Sequence, residues 1–176
     1  MIKSKNKGFT LIEILIVVAI IAILASVVLV GLGPTQQAGR DARRLSDLSE
    51  VQNGLELYYN KCGIYPGGTG GAACTAVTLT SPDGAATGGA YNQMATAIIG
   101  ADLGVSSIPV DPSDAGLHVY SYAENGANGT SYVLQTVLEN PDNSVFGTYT
   151  APSDWATDQT PAALTCTASS TICVSL

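Results

Sequence analysis

The chain is poor in positive charge and nearly devoid of imidazole: 7 lysines and arginines stand against 14 aspartates and glutamates, and His118 is the only histidine among 176 residues. Each shortage excludes something. A formal net charge of -7 repels nucleic-acid phosphates unless a basic patch is built locally. The only clustered cations outside the first residues are Arg40, Arg43 and Arg44. They read as a solvated helix face on which Arg43 reaches Asp47 at i,i+4, which speaks against nucleic acid as a partner. With no C-x-x-C and a single histidine, the four cysteines do not make a zinc site. No G-x-S-x-G, P-loop or H-E-x-x-H is present, so no enzyme constellation assembles and no cofactor or metal is expected.

Charge is also missing from Ile14 to Val30, an apolar run of membrane-spanning character. It exceeds the 7 to 15 residues usual for the apolar region of a secretory signal, and Gly31-Leu32-Gly33-Pro34 after it offers no A-x-A-like cleavage site. The anchor is therefore expected to stay on the mature protein. Ahead of it stand Lys3, Lys5 and Lys7, then Gly8, and one lone carboxylate, Glu13. An unpaired acid near the centre of a spanning helix costs roughly 2.5 to 3.5 kcal/mol, so intramembrane acids usually mark function. Near the end of the segment the cost falls, and Glu13 taken alone also reads as an interfacial residue satisfied by water and headgroups.

Lys7-Gly8-Phe9-Thr10-Leu11-Ile12-Glu13 with the apolar run behind it resembles the class III signal of type IV pilins and the related pseudopilins. The resemblance implies a cut by a prepilin peptidase between Gly8 and Phe9, on the cytoplasmic side, where the positive-inside rule holds the three leader lysines. It implies that Phe9 becomes an N-methylated amino terminus and that Glu13, the fifth mature residue, pairs with the amine of Phe9 on a neighbouring subunit. That pairing would compensate a charge otherwise buried in an apolar filament core. The partners implied are further copies of the chain in a helical homopolymer, the peptidase, an inner-membrane assembly platform and a cytoplasmic motor. The precursor would cross the membrane once before the subunit enters an extracellular filament.

The expected organisation is a leader over 1–8, a membrane or filament-core helix over 9–34, an amphipathic continuation over 35–60, and a globular head over 61–176. In the second helical segment Ala38, Ala42, Leu45, Leu48, Val51, Leu55 and Tyr58 recur at steps of three or four, one face of a helix able to pack on a sheet. Gly31, Gly33 and Pro34 predict a kink or a locally unwound stretch between the two segments. Tyr58, Tyr59 and Tyr65 are expected to cover an edge of the sheet. The passage from Arg40 through Leu55-Glu56-Leu57-Tyr58-Tyr59 to Tyr65-Pro66 extends the pilin resemblance, as does Ile108-Pro109-Val110-Asp111-Pro112, a turn in which Asp111 can cap neighbouring amides.

A short helix is expected over Asn92 to Ile99, and an antiparallel hairpin from Leu117–Ala123 and Ser131–Glu139 around a glycine-rich turn. Tyr132, Leu134, Thr136 and Leu138 share the more apolar face of the second strand, so the fold class is α+β. Cys62, Cys74, Cys166 and Cys173 form an even set compatible with export. Three connectivities are possible; the expected one joins Cys62 to Cys74 and Cys166 to Cys173, each clipping a loop of small residues. Asn128-Gly129-Thr130 matches a glycosylation triplet, and Asp142, Asp154 and Asp158 occupy the segment where major pseudopilins hold calcium without reproducing a calcium loop. A pilus subunit is the reading preferred; a type II secretion pseudopilin is the alternative, and a membrane-tethered enzyme or ligand-binding domain is a more distant one.

Overall fold

The computed structural model describes residues 8–68, 74, 77–79, 89–113, 120–125, 129–141, 159–160, 164 and 171–175. The lysines of the leader, His118, Asn128, Asp142, Asp154, Asp158 and Cys166 lie outside the described residues. Helix α1 runs from Leu11 to Cys62 and α2 from Ala90 to Gly100. The strands are β1, Ser121–Asn125; β2, Tyr132–Val137; β3, Gln159–Thr160; and β4, Thr171–Ser175. They form one antiparallel sheet in the order β3-β1-β2-β4. The chain divides into two compact units, Met1–Gln37 and Ala38–Leu176.

Both ends of α1 are written in the sequence. At the start, Thr10 and Glu13 form a reciprocal cap: the Thr10 backbone N–H and hydroxyl each donate to Glu13 Oε2 at 2.8 Å, and the Glu13 N–H donates to Thr10 Oγ1 at 3.3 Å. This T-x-x-E capping box satisfies donors that the first helical turn leaves without partners. At the other end Gly63 takes a left-handed φ of 76° and its N–H donates to Tyr59 O at 2.7 Å, a helix stop that glycine adopts without steric cost. Between them the helical backbone passes through Gly31, Gly33 and Pro34, so of the two expected outcomes, a kink or a locally unwound stretch, unwinding does not occur. Proline lacks one donor and here sits inside a helix carried by its hydrogen bonds on both sides.

In the second unit, Leu48, Val51, Leu55, Tyr58 and Cys62 recur on one stripe of α1 and are buried. They pack with Met94 and Ile98 of α2 and with Tyr122, Tyr132, Leu134 and Ile172 of the sheet. The hairpin register pairs Tyr122 with Leu134 and Glu124 with Tyr132, which turns the expected apolar face of β2 toward the helices. Two parts of the expected stripe differ. Ala38 and Ala42 are exposed, and the buried positions at that level are instead Asp41, Arg44 and Asp47. The reverse face of the sheet is also covered, by a small cluster of Ala123, Val133, Leu164 and Cys173.

The tyrosines belong to the core. Tyr65 stacks on Tyr59 and meets Tyr132 edge-on, each at 4.7 Å between ring centroids, and its hydroxyl donates to Glu56 Oε1 at 2.9 Å. Such pairs place rings where their quadrupoles attract while the phenol keeps a polar partner. Where Pro66-Gly67-Gly68 passes the hairpin turn, a Cβ on Gly68 would stand 2.6 Å from the Gly129 Cα. Only glycine permits that approach, and Tyr65 N–H donates to Gly129 O at 2.7 Å across it.

Candidate assembly site

The N-terminal unit presents apolar side chains without cover. Phe9 is 84% exposed, and Leu11, Ile12, Leu15, Val18, Ile21, Leu24 and Val28 are all exposed. Few soluble monomers leave so large a contiguous apolar surface in water. The segment is long and apolar enough to cross a membrane. At its head the capping box fixes Oε2 of Glu13, and among the described residues no hydrogen bond reaches Oε1. Gly8 is exposed, and a methyl added there would meet nothing within 4 Å. The fold therefore makes no demand for glycine at that position. Ser26 is the other polar side chain of the segment, and its hydroxyl donates back to Ile23 O at 2.7 Å, as hydroxyls in apolar helices do.

The second unit carries a different constellation, which the sequence reading missed. Arg44, expected on a solvated helix face, has no exposed side-chain surface. Its guanidinium forks onto Asp111, Nε to Oδ2 at 2.7 Å and Nη2 to Oδ1 at 3.1 Å. Its Nη1 donates to Asp41 Oδ1 at 2.8 Å and to Glu139 Oε1 at 2.9 Å. Arg40 adds a second fork onto Glu139, with Nε to Oε1 at 2.6 Å and Nη2 on Oε2. Asp41 in turn accepts the backbone N–H of Glu139 at 2.9 Å and of Asn140 at 3.0 Å. Arg43 meets Asp47 at 3.8 Å, as its i,i+4 spacing predicts, and Asp47 accepts the Tyr120 hydroxyl at 2.7 Å.

The network thus joins three separate stretches: α1, the turn at 109–113 and the chain just beyond β2. Asp111 also accepts the Ser113 N–H and hydroxyl at 2.8 and 2.6 Å, the capping role expected of it. The electrostatics follow from the donors. Hydrogen bonds from Arg40, joined by those from Arg44, hold the Glu139 carboxyl down to about 2 against the opposing effect of burial. Burial pushes the Asp111 carboxyl up, but bonds from Arg44 and Ser113 outweigh it and the group lies below the ordinary aspartate value. Burial likewise opposes the charged form of Arg44, and its three carboxylate partners more than reverse this.

Cys62 and Cys74 are joined by a disulfide with 5.3 Å between their Cα atoms, as expected. Cys173 is disulfide-bonded as well. A cleft of about 350 Å³ lies between the ends of the two helices, lined by residues including Tyr58, Lys61, Ala97 and Asp102. Among the described residues no group of three or more histidine, cysteine, aspartate and glutamate side chains is arranged to hold a metal.

A helix long and apolar enough to cross a membrane, capped by a threonine and an acid and continued into a small α+β head, is the architecture of the prepilin class. A family profile described as the prokaryotic N-terminal methylation motif matches residues 3–29. The type IV major fimbrial protein FimA of Dichelobacter nodosus is 30% identical over 145 residues, 82% of this chain and 74% of that protein. The type II secretion system core protein G of Vibrio cholerae is 30% identical over 79 residues, 45% of this chain and 54% of that protein. Its counterpart in Escherichia coli K12 is 36% identical over 55 residues, 31% and 38% of the two chains. The chain spans about half the length, or less, of these secretion relatives. No solved structure matches it. The chain belongs to the family of type IV pilins and their pseudopilin relatives.

Proposed function

We propose that the chain is the structural subunit of an extracellular type IV pilus, and that it performs no bond chemistry of its own. A prepilin peptidase cuts between Gly8 and Phe9, and Phe9 becomes the N-methylated terminus. The observation that carries this reading is the apolar surface of residues 9–28, uncovered on every side, with Glu13 at its head. Lipid covers it in the precursor, and neighbouring helices cover it in the filament. Glu13 then accepts the amine of Phe9 from a neighbouring subunit, which removes an uncompensated charge from an apolar bundle and fixes the axial register. Glycine at position 8 has no role in the fold, which supports a role in recognition by the peptidase. Contacts of this kind are heterologous and do not close, so they build a fibre rather than a ring. An inner-membrane platform and a cytoplasmic motor would supply placement and energy. Gly31, Gly33 and Pro34 are the positions at which the helix can bend as subunits pack.

A pseudopilin of a type II secretion system is the second reading, favoured by the core protein G relatives and by the Val110-Asp111-Pro112 turn. The pilus reading is preferred because the fimbrial relative is matched over 82% of this chain and the secretion relatives over 45% or less. Shearing filaments from cells and measuring the mass and amino terminus of the dominant subunit tests it. A chain beginning at Phe9 with one added methyl is expected. Filaments that lack the chain, with Met1 retained in the membrane fraction, would overturn it.

A further inference from the structure

The head is joined to α1 by two contacts of opposite chemistry. From Leu48 to Cys62 the contact is apolar: Leu48, Val51, Leu55 and Tyr58 are buried, and a disulfide leaves from Cys62. Between residues 40 and 44 it is ionic, and the apolar contact resumes with the half-buried Leu45. The buried residues of the ionic stretch are Asp41 and Arg44, and the alanines that share the helical repeat, Ala38 and Ala42, are exposed.

The two contacts respond differently to water. Opening the apolar one exposes side chains whose burial is worth roughly 1.5 to 3 kcal/mol each. Opening the ionic one returns charges to their hydration shells, and this recovers most of what the charge–charge contacts supplied. For that reason replacing a whole buried ion cluster by apolar groups is often neutral or stabilising. The charges that face one another here are Arg40, Arg44, Asp41, Asp111 and Glu139, with Arg43, Asp47 and the Tyr120 hydroxyl beside them. The acids among them sit on three stretches of chain, so no single local hydrogen bond keeps the cluster closed.

We propose that this cluster is a latch: it opens as one unit and frees residues 40–44 of α1 from the turn at 109–113 and from Glu139 and Asn140, while the apolar contact from Leu45 to Cys62 stays closed. The latch lets the lower part of the head part from its helix without unfolding the domain. It does not depend on whether the filament is a pilus or a pseudopilus. Two amides report on it directly, because the N–H groups of Glu139 and Asn140 both donate to the Asp41 carboxylate.

Residue-resolved hydrogen exchange on the full mature chain in detergent micelles, corrected for intrinsic rates, tests the proposal. In the wild type the amides of Glu139 and Asn140 are expected to exchange at least tenfold faster than those of Val133 to Thr136 in the central strand. In Arg44→Met/Asp111→Leu, which replaces the buried fork by an apolar contact and leaves Arg40 bonded to Glu139 and in the field of Asp41, they are expected to slow at least tenfold. Arg44→Lys keeps the charge but loses the fork, and is expected to speed them further. Equal protection of the two amides and the central strand in the wild type would overturn the latch. So would fast exchange that neither variant changes, which is ordinary fraying at a strand end, or faster exchange in a folded double variant. Should the double variant not fold, the wild-type comparison and Arg44→Lys decide the matter.

Discussion

Residues 11–28 and 40–58 belong to one helix and have opposite relations to their side chains. The first stretch displays leucine, isoleucine and valine on all sides with nothing over them. The second buries not only leucine, valine and tyrosine but also an arginine and two aspartates. An apolar surface left bare calls for partners outside the chain, whereas buried charges held by hydrogen bonds have found theirs inside it. Glu13 and Arg44 show the contrast in single residues. Among the described residues the Glu13 carboxylate accepts hydrogen bonds only from its own capping threonine, and the Arg44 guanidinium reaches three carboxylates and Ser113.

The strongest way to break the comparison is at the bare end. Glu13→Leu is expected to leave the thermal unfolding of the head unchanged while lowering filament yield more than tenfold, read by shearing and immunoblotting. Unchanged yield would mean that the acid makes no contact between subunits. At the buried end, Arg44→Ala leaves Asp111 without a counter-charge and Asp41 with Arg40 alone as a nearby cation. That loss costs about 3 to 5 kcal/mol where a site stays closed. Because an open latch admits water to the orphaned acids, denaturation should read the lower end, about 3 kcal/mol. A loss under about 0.5 kcal/mol would show that the network contributes no more than an exposed pair.

Replacing Cys62 and Cys74 together by serine releases the end of α1 from a loop with a sequence separation of 12. Stability is expected to fall by about 2 to 3 kcal/mol, without loss of the helix by circular dichroism. Acid sharpens the comparison further. The Glu139 carboxyl lies at about 2 in the folded head against 4.5 as its ordinary value. Its contribution is therefore complete above about 4.5 and is lost as pH falls from there through about 2. Asp111 shifts in the same direction. Midpoints of denaturation should decline across that window, and Glu139→Gln should flatten the decline. The smallest effect is expected at Gly63, where φ is 76° and a methyl would meet nothing. Gly63→Ala should cost roughly 1 kcal/mol of backbone strain and no more.

Much of this architecture was legible because its signals are local. The apolar run, the glycine before Phe9, the stripe from Leu48 to Tyr58 and the alternation of Tyr132, Leu134 and Leu138 each lie within a few residues of one another. The capping box is local as well, T-x-x-E at residues 10–13, where the same acid serves both as cap and as candidate for subunit pairing. Strand β4 was hidden in a serine- and threonine-rich tail, since Thr171–Ser175 is too short to alternate convincingly and takes its face from pairing with β2. The ion network was the least legible. Arg44 and Asp111 stand 67 positions apart and Arg44 and Glu139 95 apart, so nothing in the helix tells a buried arginine from a solvated one. Pro34, where a kink or a locally unwound stretch is expected, lies within an unbroken helix, because a residue that breaks helices in isolation is tolerated within a long one.

A cryo-electron microscopy reconstruction of the native filament tests most directly the claim that the bare helix is completed between subunits and the charged one within them. It is expected to show the Phe9 amine within about 4 Å of Glu13 of a neighbouring subunit, the usual limit of an ion pair, and Arg44 paired to Asp111 of its own chain. Arg44 reaching across to another subunit, or helices 9–28 left facing solvent in the filament, would contradict it.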